Sequence, residues 1–200
     1  MSVGSMTIAG GNVVSPAGFS AVGAVSGSGT ITAKLSTADG SSFTALGGTL
    51  TLGDAAAADA FSNYLSTTAI GANQVNLLSA SLAKLGSSTT LTGGTLASLN
   101  GIDLPTARTL SGHGIVQGKF VNQGQVSGGG GAEVLAFAGP VSGAGSFSGN
   151  VRFDGNYSPG NSPAAISFEN LSLGSTLKSI LNLQELLQEI RSIKSWRPAA

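Results

Sequence analysis

The 200-residue chain has no cysteine. That excludes disulfide staples and thiolate metal centres, and it leaves the compartment open, export from a bacterium included. Charge is also scarce. Nine basic and nine acidic residues make up 9% of the chain and cancel, where an average globular chain carries about 25%. No Lys/Arg stripe exists to neutralise phosphates, so nucleic acid is not an expected partner. No apolar run approaches the ~18 residues that a transmembrane helix needs. Met1-Ser2-Val3-Gly4-Ser5-Met6 lacks a basic region and a continuous apolar region, so it does not read as a secretory leader.

What the chain does have is glycine, 31 residues of it, more than double the usual ~7%. The glycines do not fall at every third position, so this is no collagen. Zero net charge and a mean hydropathy of +0.28 argue against disorder of the whole chain. Short intervals of Gly, Ser, Thr and small aliphatics fit many short strands joined by tight turns. In Val141–Pro163, Phe147, Gly149, Val151, Phe153, Gly155 and Tyr157 alternate with Ser148, Asn150, Arg152, Asp154 and Asn156. This period of two predicts one apolar and one wet face, ended by Ser158-Pro159-Gly160.

A frame recurs: Val25-Ser26-Gly27-Ser28-Gly29, Leu110-Ser111-Gly112-His113-Gly114 and Val141-Ser142-Gly143-Ala144-Gly145. The last two align without a gap at an offset of 31 (141 − 110), which maps Gly112, Gly114, Gly118, Gly124 and Gly129 onto Gly143, Gly145, Gly149, Gly155 and Gly160. Repeats of 20–50 residues point to solenoids, propellers or arrays. The expected fold is all-β, a right-handed parallel β-helix with a C-terminal amphipathic α-helix.

Residues 1–24 read as weakly patterned N-terminal strands, 25–176 as the solenoid and 177–197 as the helix. Short strands are expected around 12–14, 47–53, 74–78, 88–91, 93–99, 133–137, 165–168 and 171–173. Residues 77–85 are ambiguous and lean to strand. Locally, Asp54–Leu65 reads as a helix, with Asp54 as N-cap, a run of four alanines, and Phe61 facing Leu65. Glycine ends at Gly174, and Leu177, Ile180, Leu181, Leu183, Leu187 and Ile190 then recur at helical spacing. Such a helix caps the open end of a solenoid or dimerises. Its seam of barely two heptads favours a cap, or a tail foreign to the solenoid, over a dimer.

The run Gly145–Ala164, with its Tyr157-Ser158-Pro159-Gly160-Asn161-Ser162-Pro163 end, resembles bacterial exported β-strand-repeat proteins of the PEP-CTERM sorting-tail type, which overlap in character with autotransporter passenger domains. Leu110–Gly114, Asn122-Gln123-Gly124-Gln125-Val126, Gly53-Asp54 and Gln74-Val75-Asn76-Leu77-Leu78 resemble rungs of the same family. The likeness spans roughly 47–176. It implies a stacked β-fold, mostly extended chain over 54–91, export to the medium or cell surface, and a non-enzymatic adhesive or matrix role. Cell-surface polysaccharide or matrix is the implied partner, with weak self-association through the solenoid ends or the 177–197 helix. The family's leader and sorting tail are missing, which implies a fragment, a frame-shifted reading or a divergent paralogue.

No catalytic, cofactor or metal residue is assigned. His113, the one histidine, is a base or ligand by type. Its repeat mates Ser28 and Ala144, and the absence of nearby clustered acids, favour a solvated turn residue. The spacing of Gly112, Gly114 and Gly118 meets neither the dinucleotide nor the P-loop pattern. Polysaccharide cleavage, the rival reading as a degenerate β-helix enzyme, normally takes paired carboxylates or an Asp/Lys/Arg group on one face. Of Asp39, Asp54, Asp59, Asp103, Glu133, Asp154, Glu169, Glu185 and Glu189, only Asp154 has an evident neighbour, Arg152, in a weak surface pair. Asn122 is expected to point inward and to satisfy backbone groups of adjoining coils.

Overall fold

A computed structural model describes residues 1–37, 41–63, 67–159 and 170–173. Period-two patterning becomes strand wherever it occurs in these segments. Gln74–Ser79 is typical: Val75, Leu77 and Ser79 are buried, and the residues between them face out. In chain order the strands are β1 (Ser2–Val3), β2 (Met6–Ala21), β3 (Ala24–Thr37), β4 (Ser42–Asp54), β5 (Phe61–Asn63), β6 (Thr67–Ile70) and β7 (Gln74–Ser79). They continue as β8 (Ala83–Lys84), β9 (Ser88–Ser98), β10 (Ile102–Leu104), β11 (Thr109–Gln117), β12 (Phe120–Asn122) and β13 (Gln125–Gly128). The last are β14 (Leu135–Phe137), β15 (Val141–Gly143), β16 (Ser146–Ser148), β17 (Asn150–Phe153), β18 (Tyr157–Pro159) and β19 (Asn170–Leu173).

Every pairing between these strands is parallel. The chain is a parallel β-solenoid of about 8 turns. A first face stacks the early halves of β2, β3, β4, β9 and β11 with β6, β13 and β16. A second stacks the later halves of those long strands with β7, β14, β17 and β19. A third carries β8, β10, β12, β15 and β18 in one five-stranded sheet. β2 already pairs with β3 from Met6↔Val25 to Ala21↔Thr37, so residues before 25 form coil of the same kind.

The interior is filled by the alternate side chains of all three faces. Aliphatic residues such as Val25, Leu50, Val75, Leu96 and Leu110 are fully buried. Toward the later coils the filling turns aromatic. Phe137 lies 4.9 Å from Phe120 and meets Phe147 edge-on at 5.8 Å. Phe153 stacks on Tyr157 at 4.7 Å. Each buried ring removes a large apolar area from water and stacks in the offset or edge-on geometry that ring quadrupoles prefer.

The frame repeat has a different register from the one its sequence offset implies. Leu110 pairs with Val126, 16 residues on (126 − 110), and Val126 with Phe147, 21 on (147 − 126). Val141, 31 residues from Leu110, belongs to the third face and stacks on Phe120 and Tyr157. The shared frame therefore marks a corner, where β3 and β11 bend from the first face to the second and where β15 leaves the third. Gly112 (φ 100°) and Gly143 (φ 113°) show why. A Cβ at Gly112 would collide with the Leu91 carbonyl oxygen, and one at Gly143 with that of Asn122. Backbone of one coil touches backbone of the next there, and glycine alone fits.

Val141–Pro159 is likewise a full coil rather than one strand: β15, β16, β17 and β18 carry it round until Tyr157 pairs with Val141. Phe147, Val151, Phe153 and Tyr157 are buried as their alternation predicts. Asn150 departs from the expected wet face. It is 5% exposed, and its Nδ2 donates to the Gly131 carbonyl at 2.7 Å.

The local helix reading of Asp54–Leu65 is overturned over its described residues, 54–63. Asp54 ends β4, its Oδ1 accepts from the Ala56 N–H at 2.9 Å, and the chain turns before entering β5. The aspartate caps a turn, not a helix. Ala60 and Phe61 dock into the coil, where Leu35 donates its N–H to the Ala60 carbonyl. A helix of three turns is marginal alone, and the stack offers the same segment both backbone partners and burial. The ambiguous stretch 77–85 is extended, in β7 and β8. Among the described residues there is no helix. The expected helix at 177–197 and the strand at 165–168 lie outside them.

Candidate contact surfaces and ion pairs

Stacking turns scattered hydroxyls into columns. On the first face the register runs Thr7, Ser26, Thr44, Ala69, Thr90, Ser111, Ser127 and Ser148, one residue per coil. A second column, two residues earlier on each strand, runs Ser88, Thr109, Gln125 and Ser146. Leu110, Val126 and Phe147 are buried between the columns and Val25 and Phe43 beside the first, whereas Thr7, Ser127 and Ser148 are exposed. Successive rungs are about 4.8 Å apart and residues i and i+2 about 6.6 Å. Hydroxyls interact along the column, with Thr90 Oγ1 and Ser111 Oγ 3.4 Å apart. Neither column contains a charge.

A groove of about 300 Å³ crosses the second face, lined by Gln74, Asn76, Ala97, Leu99 and Gln117 among others. Asn76, Ala97 and Gln117 occupy one register position on successive coils. Gln74 Nε2 donates to Asn76 Oδ1 at 3.1 Å.

Charged groups sit apart in pairs. His113, in β11 rather than in a free turn, has Nδ1 3.2 Å from Glu133 Oε2. A single carboxylate approaches the histidine, because the Gly-rich loop before β14 brings Glu133 back over β11. Arg152 and Asp154 form the expected surface pair, with Nε and Nη2 each 2.9 Å from a carboxylate oxygen. The hydrogen bond to Asp154 raises the guanidinium pKa. Lys34 holds Asp59 at 2.9 Å and its hydrogen bond keeps that carboxyl below the ordinary range. Partial burial pushes Asp103 up, opposed by the charge of Lys84, its register neighbour. No group of three His, Asp or Glu side chains converges among the described residues. Asp39, Glu169, Glu185 and Glu189 lie outside them.

Asn122 behaves as expected. It is fully buried, its Nδ2 donates to the Ser146 carbonyl at 3.0 Å, and its Oδ1 accepts from the Gly124 N–H at 3.0 Å. Asn73 makes an equivalent stitch between coils, donating to the Ala45 carbonyl and accepting from Gly48 N–H. Sequence reasoning did not find the columns or the groove. The tandem spacing of Ser42-Phe43-Thr44, Ser88-Thr89-Thr90, Thr109-Leu110-Ser111 and Ser146-Phe147-Ser148 is their local signal, and only the register aligns it.

No family model, curated protein or solved structure matches the chain. The β-solenoid is assigned from its own pairing, and no family is.

Proposed function

We propose that this chain is a non-catalytic module of the cell surface or the extracellular medium, with a structural, adhesive or exopolymer-associated role. The carrying observation is the uncharged column from Thr7 to Ser148, which repeats one weak hydroxyl donor and acceptor at every rung except that of Ala69. Single contacts of this kind are weak, and many at fixed spacing add through multivalency. The coil is taken as right-handed, the hand that parallel crossovers almost always adopt.

Retention tests the reading. The chain is mixed with insoluble polysaccharide particles, and the amount left in solution is measured beside release of reducing or unsaturated ends. We expect retention without turnover. The combined variant Thr44→Ala, Thr90→Ala, Ser111→Ala, Ser127→Ala should stay folded and be retained at least several-fold less. Equal retention of that variant would remove the columns from the account. Steady release of chain ends would replace it with the degenerate polysaccharide-active enzyme.

A further inference from the structure

We propose that the groove across β7, β9 and β11 is a binding subsite for a neutral saccharide. This rests on the polymer-associated reading above and gives it a specific site.

The groove has the chemistry of an uncharged polyol site. Ala97 lies between Asn76 and Gln117 in the register, so a small side chain separates two amides about two rung spacings, ~9.6 Å, apart. The Gln74–Asn76 hydrogen bond uses one donor of the former and Oδ1 of the latter. That bond holds the Asn76 amide in place and leaves its two N–H donors, with Gln74 Oε1, for a ligand. Gln117 is exposed and carries no partner among the described residues. Amides that present donor and acceptor together match hydroxyls, which are both at once.

Leu99, 93% exposed, stands at the rim and gives a C–H surface for the apolar face of a sugar ring. No charged side chain lines the groove. A polyuronate or phosphorylated polymer would find no counter-charge there, so the occupant is neutral. The volume of about 300 Å³ sits at the lower end for small-molecule sites and suits one or two sugar units of a longer chain.

The probe is a short soluble β-glucan oligosaccharide titrated into the full chain by calorimetry, with a uronate oligosaccharide of equal length alongside. Saturable binding of the glucan, and weaker binding of the uronate, is expected. The Asn76→Ala, Gln117→Ala double variant should lose roughly tenfold in affinity, the loss of two neutral hydrogen bonds. Ala97→Gln, which fills the floor but keeps both amides, should weaken binding similarly. Both variants should keep the wild-type circular dichroism spectrum. Undiminished glucan affinity in the variants, uronate binding as tight as glucan binding, or no oligosaccharide binding at all would each overturn the site. The module reading is judged separately, by retention on insoluble polymer.

Discussion

Asn122 and Gly145 occupy one space. The buried Asn122 amide bridges the Gly124 N–H and the Ser146 carbonyl, and a Cβ at Gly145 would run into that amide and into the Gly124 carbonyl. Asn122→Ala should leave the Gly124 N–H unpaired and cost about 1–3 kcal/mol. Gly145→Ala should cost about 1–3 kcal/mol by overpacking. The double variant should lose less than the two singles together, because truncating Asn122 makes room for the new methyl. Urea unfolding of the four proteins measures this.

Corner glycines should separate sharply from loop glycines. Gly112 combines φ 100° with contact to the Leu91 carbonyl, whereas Gly130 has nothing within 4 Å of its would-be Cβ. Gly112→Ala should destabilise by about 2 kcal/mol or more, from strain and from collision with fixed backbone. Gly130→Ala should be neutral or stabilise by about 0.4–1 kcal/mol through the unfolded chain. Thermal midpoints of the two variants give the comparison.

These corners also show what the sequence makes legible. Alternation at Phe147, Val151, Phe153 and Tyr157 names core residues, and the glycine frame names a stack, because both are local consequences of the pleat and of backbone crowding. The inward role of Asn122 follows from the same alternation. Register is not local. Leu110 meets Val126 and Thr89 through hydrogen bonds between coils, and variable corners let the step change from 16 to 21 residues without altering the frame. The offset of 31 is therefore a match of corners. The hydroxyl columns, the groove and the approach of Glu133 to His113 depend on that register and were hidden with it. At Asp54–Ala60 local propensity pointed elsewhere, and docking onto β3 prevailed.

Tyr157 predicts an alkaline limit. Its hydroxyl is buried without a hydrogen-bond partner among the described residues, and burial pushes its pKa from 10.0 up to about 12. The folded chain thus holds this proton more tightly than the unfolded chain. The contribution is complete below pH ~10 and is lost as pH rises toward ~12. In a Tyr64→Phe background, phenolate absorbance should titrate well above 10 and coincide with loss of stability. Tyr157→Phe removes the unpaired hydroxyl. It should match or exceed the parent at neutral pH and lack this part of the alkaline loss.

The stacking register is the central claim, and a chain free of cysteine allows it to be tested by cross-linking. Ser111 and Ser127 are in-register neighbours on adjacent coils, about 4.8 Å apart and within the Cα span of a disulfide. Ser111 and Ser142, related by the sequence offset, lie on different faces. Mild oxidation of the Ser111→Cys, Ser127→Cys protein should close an intramolecular disulfide with the β spectrum retained, while the Ser111→Cys, Ser142→Cys protein should keep both thiols free. Closure of the second pair and not the first would contradict the register and everything placed by it.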